Sequence, residues 1–75
     1  MNNKHFDTIR LIGLNIAYYR KLKGISQIEL AEKINISRTH MSRIETALCE
    51  PPLHVLMDIA EALDIDIKDL LDFKK

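Results

Sequence analysis

Two helix starts stand eleven residues apart in the middle of this 75-residue chain, at Ser26 and Ser37, and they constrain it more than any other feature. Ser26 is followed three positions later by Glu29, the pattern in which a hydroxyl accepts from one orphan backbone N–H while a carboxylate reaches back to another. A helix therefore begins at Gln27, with Leu30, Ala31 and Ile34 as a short apolar stripe. Asn35 interrupts it. Asparagine is one of the few non-glycine residues that accept a left-handed backbone and so end a helix in a tight turn. Ser37 then caps a second helix that runs to about Glu45.

On a wheel of about 100° per residue, Arg38 falls at 0°, Ser42 near 40°, Thr39 near 100° and Arg43 near 140°. Met41 and Ile44 fall on the opposite side, near 300° and 240° on the same scale. One face can bury itself against the preceding helix. The other carries two guanidinium forks and two hydroxyls, a donor-rich set suited to guanine edges and phosphates.

These residues resemble the helix-turn-helix domain of the phage Cro and repressor class, the Xre family. The resemblance runs from about Ile12 to Leu71. It rests on Arg20, Gly24 and Ser26-Gln27, on Leu30-Ala31, on Ile44-Glu45, on a Leu53, Leu56, Ile59-Ala60, Leu63 ladder and on Leu70-Leu71. It implies an all-α, compact five-helix, lambda-repressor-like domain with its helix-turn-helix at helices 2 and 3. The function implied is a sequence-specific transcriptional regulator that binds double-stranded operator DNA as a homodimer through the major groove, with half-sites roughly 34–36 Å apart. Arg38, Thr39, Ser42 and Arg43 are the expected base contacts. Gln27, Lys33, Ser37, Lys23 and His40 are the expected phosphate contacts. In similar proteins the arginine matching Arg20 pairs with the glutamate matching Glu45, which implies an ion pair fixing helix 1 to the reading helix. The same likeness extends to restriction-modification controller proteins and to small phage or plasmid repressors. The rival reading is a protein–protein adaptor or antitoxin-like module built on the same fold.

Composition bears on that choice. The chain is 47% hydrophobic and 29% charged, an ordinary globule with room for one domain over residues 1–75. Its helix-turn-helix core lies at 26–45, and residues 1–7, which show no periodicity, are expected to fray. Net charge is +0, which favours the rival. The distribution favours DNA: residues 1–43 hold eight Lys/Arg against three acids, and residues 44–75 hold three against eight. Such a chain can present a basic face to phosphate and turn an acidic one away. No apolar run approaches the roughly 18 residues of a bilayer span, and the start MNNKH is no signal peptide. With one cysteine, Cys49, no intrachain disulfide forms, and a cytoplasmic location is expected.

Elsewhere the periodicity predicts a first helix of about fourteen residues capped by Asp7 or Thr8, with Ile9, Ile12, Ile16 and Tyr19 inward. Gly13 lies inside it, permitting close helix approach or simply tolerated. After Glu45 the chain reads Thr46-Ala47-Leu48-Cys49-Glu50-Pro51-Pro52, where many similar proteins have Asn-Gly and then a cation. Without glycine that terminus must use another geometry or accept strain, and Glu50 repels phosphate wherever it faces it. Leu53, Leu56, Ala60 and Leu63 line a fourth helix, and Val55 and Ile59 widen its stripe. A brief fifth helix starts at Asp66, with Asp69 three residues on, and Lys74-Lys75 suit its end. The apolar excess points to a dimer interface of Val55, Ile59, Ile67, Leu71 and Phe73.

Chemistry is hard to find. His5, His40, His54 and Cys49 form no metal-ligand spacing, and glycine-rich phosphate loops and nucleophile elbows are missing. No enzyme activity, cofactor, metal or small-molecule ligand is expected. Cys49 reads as a small apolar residue, with redox sensing as the alternative.

Overall fold

In a computed structural model, residues 4–73 form five helices: α1 (Phe6–Leu22), α2 (Gln27–Lys33), α3 (Arg38–Glu45), α4 (Leu53–Leu63) and α5 (Ile67–Leu70). The starts follow local hydrogen-bonding chemistry. The Glu29 N–H donates to Ser26 Oγ at 3.0 Å while the Ser26 N–H donates to Glu29 Oε1 at 2.8 Å, closing the capping box. Ser37 Oγ accepts from the His40 N–H at 3.0 Å, and Asp66 and Asp69 form a second capping box at α5. Helix α1 departs from expectation. It begins at Phe6 without a side-chain cap, because the His5 carbonyl already accepts from the Ile9 N–H at 3.0 Å and Asp7 supports the positive helix end from inside the first turn. Of the stretch expected to fray, residues 6 and 7 are therefore helical, and residues 1–3 lie outside the described residues, as do Lys74 and Lys75.

The four longer helices all end the same way. Gly24, Asn35, Ala47 and Asp64 take left-handed backbones, with φ of 72°, 62°, 61° and 57°. The next N–H then reaches back five residues: Ile25 to the Arg20 carbonyl, Ile36 to Ala31, Leu48 to Arg43 and Ile65 to Ala60, at 2.8–3.0 Å. Three of those residues, Ile25, Ile36 and Ile65, fold back onto the core. Leu48 stays in solvent, and Cys49 packs there instead. The loss of glycine after α3 is thus met by strain at Ala47 rather than by a different turn.

Ile16, Leu30, Met41, Ile44, Ile59, Leu63 and Leu70 make the centre of the core. Helix α4 packs on α1, α2 and α5 together, and this explains its broad stripe. Val55 and Ile59 belong to the core of the single chain, 7% and 0% exposed, so they cannot form the dimer interface expected of them. Ile67 also packs against the core. Of that set, Leu71 is exposed and Phe73 half-buried. Leu53, read as part of the stripe, points to solvent instead. A buried polar residue closes the other end: Asn15 Nδ2 donates to the Leu70 and Asp72 carbonyls at 2.9 and 3.2 Å, holding the end of α5 against α1. Burial, then the Asp69 carboxylate, Tyr18 and Asp72, raises the pKa of the neighbouring Tyr19 hydroxyl.

Candidate nucleic-acid interface

Helix α3 is amphipathic, as the spacing demands. Met41 and Ile44 are buried beneath it, 0% and 1% exposed, while Arg38, Thr39 and Arg43 stand exposed and Ser42 is half-buried beside them. The structure therefore brings all four expected base contacts onto or beside one solvent-facing surface. No acid lies in the first turn of α3, so nothing there opposes an approaching phosphate.

Three helices hold this surface in place through one carboxylate. Arg20 Nε donates to Glu45 Oε2 at 2.7 Å and Arg20 Nη2 to Glu45 Oε1 at 3.1 Å, a two-pronged pair with both residues buried. Arg20 Nη1 donates to the Ile25 carbonyl at 2.9 Å, tying in the loop before α2. Gln27 Nε2 donates to the same Glu45 Oε1 at 2.9 Å. The first residue of α2, the last of α3 and the C-terminal turn of α1 thus share one charge, with no buried side-chain polar atom left unsatisfied among the described residues. Gly13 completes the joint. A Cβ there would lie 2.6 Å from the Glu45 carbonyl oxygen and 2.8 Å from that of Ile44, so the end of α3 rests directly on the α1 backbone.

The expected phosphate contacts sort less evenly. Gln27 spends one amide hydrogen on Glu45, leaving the other and the free N–H groups of its helix end for an anion. Ser37 is exposed, but its hydroxyl is engaged as the α3 cap. Lys23 is exposed just past α1, and His40 is half-buried at the edge of α3. Lys33 is exposed and lines an open cleft together with Asp58 and Glu61 of α4, two carboxylates on the side away from α3. The roles of Asn15 and of the Gln27 bond to Glu45 were not visible in the sequence, because each depends on which distant backbone or side chain arrives beside it.

Among the described residues no helix is long and apolar enough to cross a membrane, and no cluster of three or more His, Cys, Asp or Glu is arranged to hold a metal. A five-helix body with a donor-rich second helix in a tight helix-turn-helix defines a class, and comparison with known proteins agrees. A helix-turn-helix family model matches residues 16–70, and the chain belongs to this Cro/repressor-type (Xre) family. It is 40% identical over 65 residues to the HTH-type transcriptional regulator SinR of Bacillus subtilis, which covers 85% of this chain and 59% of SinR. The chain thus spans well under two thirds of that relative's length. Its fold is similar to the restriction-modification controller protein C.AhdI from Aeromonas hydrophila, with a TM-score of 0.86 at 26% identity, covering 91% of this chain and 99% of the other. It is also similar to SinR, the master regulator of biofilm formation, in complex with DNA: TM-score 0.76, 40% identity, 81% and 98% covered.

Proposed function

We propose that this chain is a sequence-specific DNA-binding transcriptional regulator that engages a two-fold operator as a homodimer, one α3 per half-site in the major groove. The observation that carries this reading is the division of α3 into a buried Met41/Ile44 side and an exposed Arg38/Thr39/Arg43 side locked to the body through Glu45. Arg38 and Arg43 prefer guanine, each through a bidentate fork to O6 and N7, and Thr39 and Ser42 add hydroxyl contacts. The likeness to C.AhdI and to SinR bound to DNA supports this reading over the adaptor alternative. Regulation acts through the amount of chain: as dimer forms, DNA occupancy rises.

The test is a binding titration on duplexes selected from a random pool. Arg38→Ala and Arg43→Ala each weaken cognate binding by about 1–3 kcal/mol and relax preference at one base position. Parent-like affinity in both variants would overturn the assignment.

A further inference from the structure

Helix α1 is apolar on two sides. Ile9, Gly13, Ile16 and Arg20 face inward and are buried, whereas Leu11, Leu14, Tyr18 and Leu22 cluster within about 80° of one another on the opposite side. Leu14, Tyr18 and Leu22 are 50%, 55% and 63% exposed, an i, i+4, i+8 row that solvation alone would not select. The row continues toward α5, since Asn15 holds the end of that helix alongside, where Leu71 is also exposed. Asp7 stands near its N-terminal end, flanked by Lys4 and Arg10, and Lys21 stands at its C-terminal end.

We propose that this outer face of α1, rather than α4, is where a second copy of the chain docks, by antiparallel α1–α1 packing about a two-fold axis near Leu14. The proposal rests on the homodimer reading above. Charge favours antiparallel over parallel pairing: a parallel pair sets Asp7, Arg10 and Lys21 each against its own copy, whereas an antiparallel pair sets Asp7 of each copy against the partner's Lys21. Geometry points the same way. Carbonyls of a last helical turn point along the helix axis, and those of Ile44 and Glu45 abut Gly13, so α3 meets α1 end-on from its inner side. With usual helix rise and helix–helix spacing, pairing through the outer side puts the two α3 centres on the order of 30 Å apart. That is close to the roughly 34 Å between successive half-sites on one face of B-DNA. The stripe offers a handful of residues where a standard interface uses roughly 20–30 a side, so the dimer is weak in free solution and is completed by binding both half-sites of one duplex.

The experiment is sedimentation equilibrium of the full chain, with circular dichroism to show that each variant keeps its helices. Leu14→Asp raises the dimer dissociation constant about tenfold or more. Asp7→Lys and Lys21→Asp each weaken self-association about tenfold by setting like charges together. An equimolar mixture of those two folded variants regains the parent's dimer, because every cross-axis pair then joins a cation to a carboxylate. Parent-like dimerisation of all three variants, or a mixture that stays monomeric, would overturn the α1 interface while leaving a homodimer intact. A parent chain that is monomeric at every concentration and binds a two-fold duplex as one copy would overturn the homodimer reading itself.

Discussion

Ala47 is the residue on which local chemistry and tertiary demand conflict. Four helix ends need a left-handed residue, and three have one suited to it: glycine, which lacks a Cβ, and asparagine and aspartate, whose short polar side chains bond locally. Alanine has neither advantage, so its Cβ crowds the following carbonyl. Ala47→Gly is accordingly expected to stabilise the fold by about 1 kcal/mol, a rise in melting temperature of about 4–8 °C for a domain of this size. Thermal unfolding measures it, and no rise would mean the turn has relaxed. Glu29 offers a second test at this scale. The Ser26 N–H and then its hydroxyl hold the Glu29 carboxyl below its ordinary value of 4.5. A carboxyl whose pKa is lowered by folding contributes stability above that ordinary value and loses it as pH falls through the lower folded one. Glu29→Gln, which removes the titrating group, should therefore flatten the acid limb of the stability curve, as denaturant titrations across that range would show.

Between elements, the decisive object is the carboxylate shared by α1, α2 and α3. Its components were partly legible: the Arg20 and Glu45 positions carry the family likeness, and the structure places their side chains in contact. The third partner was not, since Gln27 reads in sequence as a polar helix former at an exposed helix start. Removing one side of a buried pair leaves the other charge without compensation, so Glu45→Ala is expected to cost about 3–5 kcal/mol. A double-mutant cycle with Arg20→Ala should show strong coupling in denaturant unfolding, and additive losses would mean the contact contributes nothing. The α4 stripe illustrates the opposite error. Val55 and Ile59 looked like surplus for one small core because a helix packed on three neighbours needs apolar residues around more of its circumference than a surface helix does.

At the scale of the molecule, a chain of zero net charge carries its excess of cations in residues 1–43, which include α1, α2 and most of α3, and its excess of acids in residues 44–75. Binding should weaken linearly as salt rises on logarithmic axes, because cations released from DNA drive association. Each phosphate contact is worth a slope of about 0.9, so Lys23→Ala, removing one contact from each half-site, should flatten the slope by about 1.8 for a dimer. Lys33→Ala should change it less, given Asp58 and Glu61 beside it. Equal changes in titrations at several salt concentrations would remove Lys33's special standing.

The sequence alone determined much that is set within a few residues: where α2, α3 and α5 start, through side-chain hydroxyls and carboxylates; where α2 stops, through Asn35, which accepts left-handed backbone; and which side of α3 carries its arginines, through the 3.6-residue repeat. It identified the second half of the chain as helical and apolar. Only the tertiary structure decided how that apolar surface was divided, because burial depends on how many neighbours surround a helix. For the same reason, it put Val55 and Ile59 inside and left Leu14, Tyr18 and Leu22 outside. It also set Gly13 against the end of α3 and Asn15 under the end of α5, contacts between residues up to 57 positions apart that no local pattern encodes.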